Sequence, residues 1–314
     1  IWLSNREVIM NNWTRRSNLP KISIVTACLN AEKTIERTLQ SIEAQGYSNL
    51  ELIVVDGLSK DRTLEVVRQY GHIVSQFISE KDRGVAEAIN KGFRLTTGDI
   101  FCYLNADDCF APQALHRIAE EFLAHPEIDI ITGGCQRVFA DGSTVVTQVP
   151  EHFERLMALR NDIEQPSTFW RAAVHRRLGG LDETYQLAFD WEWWNRLHAS
   201  GARFTRISDV LSVYYFSEDN LTSRGGYRVI GEMYRVTKTY GPFRGYIADV
   251  YRFLFRVFDM HGCYDQPIRD LPLAKRLVFG GTLLLLYKLF GRQAIKSYNW
   301  NWASKQARNL VWYK

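Results

Sequence analysis

The stretch IFCYLNADDCFAP, residues 100–112, decides how the rest of the chain is interpreted. Its apolar first five residues predict a buried strand, and Pro112 indicates the start of a helix. Between them, residues 105–108 read NADD, and two adjacent carboxylates beyond a buried strand are unfavourable unless a positive charge neutralises them. A divalent cation that carries a phosphorylated ligand would do so, because Mg²⁺ and Mn²⁺ prefer oxygen ligands. An ordinary acidic turn is the alternative.

Composition and charge divide the chain into unlike parts. With 46% hydrophobic and 24% charged residues, the 314-residue chain has the composition of a globular protein. Residues 225–314 hold 15 Lys and Arg against 5 Asp and Glu, a balance of +10, whereas residues 1–224 hold 24 against 30. The basic part also holds 18 of the 41 aromatic residues. We therefore predict an N-terminal tail over 1–18, an α/β domain over 19–224 and a basic, aromatic helical tail over 225–314.

The five cysteines are scattered along the chain and form no C-x-x-C pair. This usage favours small core residues in a reducing compartment over a disulfide framework or a zinc site. We therefore expect a cytoplasmic protein.

Strand and helix patterns alternate through the first part of the domain. Apolar runs over 21–30, 50–55, 72–78 and 100–104 are separated by three helical patterns. This alternation predicts a mostly parallel, Rossmann-like sheet sandwiched by helices. In such sheets ligands bind beyond the carboxyl ends of the strands. The polar residues that fall there are Asn30, Asp56, Asp82, Asp107 and Asp108.

Two other nucleotide-binding architectures are excluded by their missing loops. A dinucleotide-binding domain needs a glycine-rich turn after its first strand, and residues 27–32, ACLNAE, contain no glycine. No P-loop sequence occurs either. Phosphate is then expected to be held by a metal, which favours the cation site over the acidic turn. A helix over 113–125, a hairpin of 129–139 with 143–149 and a strand over 210–216 complete the predicted domain.

Taken in order, a series of segments resembles the family 2 inverting glycosyltransferases, in particular the branch that serves bacterial polysaccharide biosynthesis. This resemblance covers residues 21–222 and implies the GT-A fold and a nucleotide-sugar donor. The segments are SIVTACLNAEKTIERTLQSI (23–42), IVVDGLSKDRT (53–63), SEKDRGVAEAINKG (79–92), NADD (105–108), QPSTFWR (165–171) and FDWEWWNRL (189–197).

The resemblance implies a donor site and a metal site. Asp56 would bond the nucleotide base, Asp82 and Arg83 would lie near the base, ribose or diphosphate, and Asn90 would either contact the donor or cap a helix. Asp108 would be the more direct metal ligand. The donor-binding residues implied in this way are Thr26, Ala27, Glu32, Asp56, Asp82, Arg83, Asn90 and Asp107. The implied metal ligands, for Mn²⁺ or Mg²⁺, are Asp107 and Asp108.

The resemblance also implies that Asp190 is the catalytic base, with Glu192 as its rival. Inverting transfer needs a carboxylate that removes the acceptor proton, and the start of a helix favours its ionised form. We expect that Trp191, Trp193 and Trp194 cannot all face inward, because successive helical residues point in different directions, so that one or two stack on sugar. His175 and His198 are expected to be surface or packing residues. The predicted acceptor-side residues are Gln165, Trp191, Glu192 and Trp194.

Three positions depart from the family pattern. Asn105 stands where the common D-x-D motif begins, and Glu87 replaces the usual Asp of its loop. Many relatives place a histidine after the last strand, and Ser217 stands near that position here. Glu218 and Asp219 are the candidates for the remaining metal ligand.

The tail combines basic and aromatic residues at helical spacing. Leu277 to Phe290 is an apolar run of 14 residues, shorter than the roughly 20 needed to span a bilayer. We therefore predict that residues 242–314 lie on an anionic membrane surface, on the cytoplasmic face. A helical subdomain packed on the catalytic domain or on a second subunit is the alternative, and a homo-oligomer is left open. Nucleic-acid binding has no supporting motif and is not expected.

Together these features predict a metal-dependent inverting glycosyltransferase of cell-surface polysaccharide synthesis. The favoured donor is a UDP-sugar, and the acceptor is a glycan or a lipid-linked sugar. A non-catalytic nucleotide-sugar-binding subunit is one alternative. A nucleotidyltransferase is another, although it would need a phosphate loop with glycine and arginine after the first strand, and residues 27–32 contain neither.

Overall fold

The computed structural model of the protein describes residues 19–216, 226–241 and 272–290, together with residues 245, 246, 248, 249 and 253. The predictions for the N-terminal tail, for Ser217, Glu218 and Asp219, and for most of the basic tail lie outside these residues.

Nine strands and eight helices carry the architecture of the described residues. The strands are β1 Ile22–Cys28, β2 Leu50–Asp56, β3 Val74–Ser79, β4 Ile100–Tyr103, β5 Cys109–Phe110, β6 Ile130–Val138, β7 Thr144–Thr147, β8 Thr168–Arg171 and β9 Phe204–Tyr215. The helices are α1 Ile35–Glu43, α2 Thr63–Gln69, α3 Val85–Phe93, α4 Ala114–Ala124, α5 Ala172–Leu178, α6 Phe189–Ala199, α7 Gly226–Tyr240 and α8 Leu273–Phe290. Short 3₁₀ turns occur at Phe153–Leu156 and Gln165–Ser167.

The first four strands form the predicted parallel sheet, in the order β3-β2-β1-β4. In its register Cys28 lies opposite Asp56, and Asp56 lies opposite Ser79. Because the crossover helices return every strand to the same edge, all carboxyl ends meet there. The alternation of apolar runs therefore predicted both the parallel sheet and the edge that carries the polar residues.

The second half of the sheet is mixed and curls. Strand β8 pairs antiparallel with β4 and with β6, whereas β9 runs parallel to β6 and antiparallel to β5. The predicted hairpin is present, with Val138 opposite Thr144. Strand β4 ends only a few residues before β5 begins, yet the two stand four places apart in the sheet order. The sheet must therefore curl so that the turn at 105–108 bridges them.

Helices cover both faces of the sheet over two separate apolar layers. Helix α1 buries Ile35, Leu39 and Ile42, the residues that its periodicity placed on one face. Each such fully buried aliphatic side chain stabilises the fold by about 1.5–3 kcal/mol. The opposite layer is aromatic, with Trp170 from β8 packed edge-on against Trp193 and Trp194 of α6.

The first helix of the C-terminal part packs on the α/β domain. Helix α7 buries Met233 and Val236, and the Thr237 hydroxyl donates a hydrogen bond to the Ala158 carbonyl. Among the side chains of helix α8 that the structure describes, Leu273, Leu277, Leu284, Leu285 and Tyr287 are exposed. Within the described part of the chain, no helix has both the length and the apolar character that crossing a membrane requires.

Candidate active site

The Asp56 carboxylate organises the turn that follows β2. It is fully buried and accepts hydrogen bonds from the Ser59 backbone N–H and, at 2.6 Å, from the Ser79 hydroxyl at the end of β3. The Leu58 N–H donates to the same carboxylate at 3.1 Å. Asp56 therefore fixes the geometry of two neighbouring strand ends.

Asp82 reaches the same turn from the loop before α3. One of its oxygens accepts from the Gly84 N–H at 2.9 Å. The other lies 2.6 Å from the place where a side chain at Gly57 would begin, so only glycine allows this approach. Asp56 and Asp82, separated by 26 positions in sequence, are thus brought to one turn.

Arg83 lies at the outer margin of this turn. Its guanidinium pairs with Glu87 at 2.7 Å and with Glu183 at 2.6 Å, and its side chain is 77% exposed. These two carboxylates raise the pKa of Arg83. Glu87, which replaces the usual Asp of the family pattern, therefore forms an ion pair with Arg83 in the loop just before it.

The other residues that were predicted to bind the donor lie at the carboxyl end of β1 and in the turn after it. Thr26 is buried, and its hydroxyl has no hydrogen-bond partner. Ala27 is half-buried beside it. Glu32 accepts a hydrogen bond from the Arg62 N–H at 3.0 Å, while Asp61 accepts from the Thr63 N–H as a helix-start residue should.

Asn90 neither caps a helix nor lies open to a donor, the two roles that its sequence position suggested. Its Nδ2 donates to the Leu181 carbonyl at 2.8 Å and to Glu183 at 3.0 Å, and its Oδ1 accepts from the Leu181 N–H. The amide therefore fastens α3 to residues 181–183. Because these bonds occupy both ends of the amide, we remove Asn90 from the donor-binding set.

The acidic turn is held by amide side chains. The Asn105 Nδ2 donates to Asp108 Oδ2 at 3.3 Å and to Gln165 Oε1 at 3.2 Å. Gln165 in turn donates to the Tyr103 carbonyl at 2.7 Å. Asn105 thus supplies a donor where a third carboxylate would repel Asp108. Gln165, predicted on the acceptor side, supports the acidic turn instead.

Arg37 of α1 also holds this turn, and sequence reasoning missed it. Its Nη2 donates to the Asp107 backbone carbonyl at 3.1 Å, and its guanidinium lies 3.4 Å from the centroid of the Tyr215 ring. Arg37 therefore places a positive charge against the acidic turn. A lone arginine on an amphipathic helix carries no signal of this role in the sequence.

Asp108 has the environment of a cation ligand. It is fully buried, and its Oδ1 has no hydrogen-bond partner. Burial raises the pKa of Asp108 well above its usual range, and the neighbouring Asp107 raises it further, while Asn105 and Arg37 oppose the shift. A buried carboxylate oxygen without a partner, beside a second carboxylate, fits a divalent cation whose other ligands are phosphate oxygens and water.

The protein itself supplies few ligands. Among the residues that the structure describes, no three His, Cys, Asp or Glu side chains come close enough together to hold a metal ion. The acidic turn offers two carboxylates, and Mg²⁺ is commonly bound through one or two carboxylates together with substrate phosphates.

Asp190 lies in the first turn of α6, as predicted. Its Oδ1 accepts a hydrogen bond from the Trp191 N–H at 2.6 Å. Burial raises the pKa of Asp190 to about 6, although the Trp191 N–H and the Asn161 side chain favour the ionised form. Burial thus outweighs the helix start, so that Asp190 is more basic than an ordinary carboxylate.

Tyr103 lies near both the acidic turn and the start of α6. This buried residue ends β4, and after burial itself the charges of Asp190 and Asp108 raise the pKa of its hydroxyl. Its ring centroid also lies 6.2 Å from that of Phe189, the first residue of α6. The acidic turn and the first turn of α6 are therefore neighbours of the same tyrosine. We call Asp56, Asp82, Asp107 and Asp108 the acidic edge.

The tryptophans of α6 correct the expectation about their orientation. Trp191, Trp193 and Trp194 are 1%, 0% and 0% exposed, so all three face inward. This is possible because α6 is enclosed on several sides, with Trp170 of β8 against one face and α7 against another. Trp191 and Trp194 present no free ring face to a sugar, and we reassign both from the acceptor side to the core.

Glu192 is likewise structural. It is 4% exposed, pairs with Arg196 at 2.9 Å and accepts a hydrogen bond from the Tyr240 hydroxyl at 2.8 Å. These contacts occupy the carboxylate and exclude it from the acceptor side. His175 is a core residue as expected, and burial lowers its pKa to about 4, whereas His198 is exposed.

Glu232 of α7 was not predicted. Its carboxylate binds the backbone immediately before α6, two residues from Asp190. The available sequence signal is that Glu232 is the sole acidic residue of an otherwise basic helix.

Comparisons with known proteins agree with this architecture. Residues 23–177 match the family model described as "Glycosyl transferase family 2". An "Uncharacterized glycosyltransferase" from Haemophilus influenzae is 29% identical over 178 residues, covering 55% of this chain and 60% of the relative. A "PGL/p-HBAD biosynthesis glycosyltransferase" from Mycobacterium bovis is 28% identical over 200 residues, covering 62% of this chain and 77% of the relative. The chain thus spans well under two thirds of the Haemophilus protein's length.

Solved structures share the fold. Staphylococcus aureus TarS 1-349 in complex with UDP-GlcNAc superposes with a TM-score of 0.57 at 17% identity, covering 94% of this chain and 93% of that one. The mannosyltransferase PcManGT from Pyrobaculum calidifontis, in complex with GDP-Man and Mn²⁺, superposes with a TM-score of 0.57 at 17% identity and covers 98% and 95%. The resemblance to family 2, the GT-A fold and the enzyme class expected from the sequence are confirmed.

Proposed function

We propose that this chain, whose residues 23–177 match the family 2 glycosyltransferase model, is a metal-dependent inverting enzyme that transfers a sugar from a UDP-sugar to a hydroxyl group. The observation that carries the proposal is the buried Asp108 oxygen without a hydrogen-bond partner in the turn after β4, while the ring of Tyr103, which ends that strand, lies 6.2 Å, centroid to centroid, from Phe189, the residue before Asp190. An inverting transfer needs a charge-neutralising site for the leaving diphosphate and a separate base for the acceptor. The acidic edge and Asp190 match these two needs.

Donor binding is assigned to the acidic edge. The turn held by Asp56 and Asp82 would take the nucleotide base and ribose, with Thr26, Ala27 and Glu32 around it. Asp107 and Asp108 would hold Mn²⁺ or Mg²⁺, and the cation would offset the negative charge on the leaving diphosphate. The unpartnered Asp108 oxygen supports this assignment.

Asp190 is assigned as the general base. Its Oδ1 is bonded to the Trp191 N–H, which orients the carboxylate that would accept the proton of the acceptor hydroxyl. A pKa of about 6 suits a base that works near neutral pH, because it is ionised there yet binds a proton more strongly than an ordinary Asp. The acceptor oxygen then attacks the anomeric carbon as the bond to the diphosphate breaks.

A nucleotide sugar as the class of donor is supported by the structural relatives, while UDP as its nucleotide rests on the family resemblance. TarS binds UDP-GlcNAc, and PcManGT binds GDP-Man with Mn²⁺. Incubating the full chain with a panel of UDP- and GDP-sugars and Mn²⁺, and measuring release of nucleoside diphosphate, tests the donor class. We expect one UDP-sugar to be hydrolysed slowly without acceptor, and EDTA to abolish the reaction.

The same assay separates the alternatives. A non-catalytic binding subunit would bind a nucleotide sugar without ever releasing the diphosphate. A nucleotidyltransferase would release pyrophosphate from a nucleoside triphosphate in the presence of a sugar phosphate. Either outcome would contradict the proposal.

The acceptor is proposed to be a glycan or lipid-linked sugar at the cytoplasmic face of an anionic membrane, in cell-surface polysaccharide synthesis. Helix α8 carries Lys275, Arg276 and Lys288 and no acidic residue. Its exposed apolar side chains, all between 46% and 70% exposed, are Leu273, Leu277, Leu284, Leu285 and Tyr287. Exposed leucines with basic residues fit an anionic lipid surface.

Sedimentation of the full chain with lipid vesicles tests this location. We expect the wild-type chain to sediment with vesicles that contain anionic lipid and much less with neutral ones. Leu277→Glu with Leu284→Glu is expected to abolish sedimentation, while Leu123→Glu, an exposed leucine on α4, leaves it unchanged. Equal sedimentation of all three proteins would contradict membrane docking through α8.

A further inference from the structure

Helix α6 starts without a cap of its own. Its N-cap position is Ala188, which has no side chain that can accept a hydrogen bond. The first backbone N–H groups of a helix need partners from outside the helix, above all when they are buried. Asp190 satisfies only the Trp191 N–H. The residues that lead into the helix therefore depend on another element.

Glu232 of α7 binds the backbone that leads into α6. Its carboxylate accepts hydrogen bonds from three consecutive backbone N–H groups, those of Gln186 at 2.9 Å, Leu187 at 2.8 Å and Ala188 at 2.9 Å. Glu232 is 6% exposed, and a carboxylate is tolerated there because three N–H groups and the start of a helix favour negative charge.

Further contacts fasten α7 along the same stretch of chain. Arg235 donates to the Thr184 carbonyl at 3.0 Å and to the Thr184 hydroxyl at 2.7 Å, and its guanidinium stacks 3.9 Å from the centroid of the Tyr185 ring. At the end of the helix, Tyr240 donates to Glu192. Helix α7 therefore contacts the chain both before and after Asp190, from residue 184 to residue 192.

We propose that Glu232 is the positioning residue for Asp190, so that helix α7 completes the active site of the α/β domain. By fixing the backbone of residues 186–188, Glu232 sets the direction in which α6 starts and hence where the Asp190 carboxylate points. The inference rests on the proposed role of Asp190 as base. It assigns the first helix of the basic C-terminal part to the catalytic machinery.

The charge of Glu232 also acts on Asp190. Glu232 of α7 raises the pKa of Asp190, whose carboxylate is also hydrogen-bonded to the uncharged amide of Asn161. On β4, the Asp190 charge in turn raises the pKa of the Tyr103 hydroxyl. Tyr103 stays neutral throughout the working range, because burial raises the pKa of its hydroxyl. Removal of the charge at 232 therefore makes Asp190 easier to ionise.

Glu232→Gln tests the proposal, since it keeps the size of the side chain and removes its charge. We expect kcat to fall about 10- to 100-fold, with donor KM within about twofold of wild type. The low-pH limb of kcat is expected to move to lower pH. In the Asp190→Asn background the same substitution should change the residual rate less than about twofold, because its effect passes through Asp190. Thr239→Ala, on the exposed side of α7, is the matched control.

The outcomes distinguish this inference from the proposed function. If Asp190→Asn keeps near-wild-type turnover, the base assignment fails. If Asp190→Asn is inactive while Glu232→Gln keeps wild-type kcat and pH limb, only the positioning inference fails. It also fails if Glu232→Gln lowers thermal stability alone, or lowers the rate equally in both backgrounds. Should Glu232→Gln not fold, Glu232→Asp decides: we expect lower kcat with an unmoved pH limb, and wild-type kcat would overturn the proposal.

Discussion

The acidic edge and helix α6 serve two halves of one proposed reaction, yet their sequences are informative to different degrees. At the acidic edge, parallel strands end together, so residues far apart in sequence meet by construction. Asp56 and Asp82 share one turn, and Asp107 and Asp108 follow the next strand. In α6 the carboxylates and tryptophans equally suggest contact with a sugar acceptor, but the helix is enclosed on several sides. Its sequence therefore does not show which side chains reach the substrate.

This contrast shows that strand ends are fixed by topology, whereas the faces of a buried helix are fixed by its neighbours. Trp191, Trp193 and Trp194 look like sugar-stacking residues and are core. Of the predicted catalytic and acceptor-side residues in α6, Asp190 alone keeps its proposed role, and Glu232, from outside the predicted domain, binds the backbone just before it. The following predictions test whether the two regions divide the work in this way.

The largest expected effect separates the base from the metal ligands. Asp190→Asn should lower kcat by about 10²–10⁴-fold while leaving Mn²⁺-dependent donor binding unchanged, because the amide cannot accept the proton. Asp108→Asn should instead weaken donor binding in the presence of Mn²⁺. Steady-state kinetics with titration calorimetry checks both, and turnover by Asp190→Asn within tenfold of wild type would contradict the division.

The next effect tests the core role of the tryptophans. Trp194→Ala should lower the free energy of unfolding by about 3–5 kcal/mol, because a fully buried ring is removed. Trp194→Phe should cost less and leave acceptor KM unchanged. Leu123→Ala, at a 55% exposed leucine, is the control and should stay within about 0.5 kcal/mol. Denaturant unfolding measures all three, and a raised acceptor KM in a stable Trp194→Phe would return the residue to the acceptor side.

A third prediction concerns pH. Because Asp190 acts as a base only when ionised, the rate should fall as pH drops through its pKa of about 6, tenfold for each unit below it. The residual rate of Asp190→Asn should lack this limb. Both are measured by a pH profile of kcat at constant ionic strength, from about pH 5 to about pH 8, a range that brackets this pKa. A limb that persists in the variant would assign it to another group.

The smallest effect is on stability. The pKa of Asp190 is raised in the folded protein, so its ionisation removes stability as pH rises from about 3.8 to about 6. Asp190→Asn avoids this loss. After allowance for its partial exposure, we expect the variant to be about 1–2 kcal/mol more stable than wild type near pH 8, with no difference below about pH 4. Denaturant unfolding at the two pH values checks the sign.

The sequence predicted the donor half closely. Each of the four apolar runs became a parallel strand, and their polar followers lie at one edge. Individual roles were less predictable. Asn90 and Gln165 were predicted to contact substrates, but their side-chain amides hydrogen-bond to backbone carbonyls. The sequence does not distinguish these roles, because an amide binds backbone and ligand with the same donor and acceptor groups. Arg37 gave no signal in the sequence, and Glu232 gave only its isolation among basic residues, because each acts on a segment far from it in the chain.

The sequence by itself indicated the sheet, the carboxylates at the strand ends, the resemblance to the family and the candidate base, because strand periodicity, strand ends and short motifs are local properties. The tertiary structure decided what surrounds those residues. It enclosed α6 on several sides, left one Asp108 oxygen without a hydrogen-bond partner, and brought a glutamate from α7 to the backbone just before α6. Burial and long-range hydrogen bonds depend on which elements pack together, and that information lies in the fold as a whole.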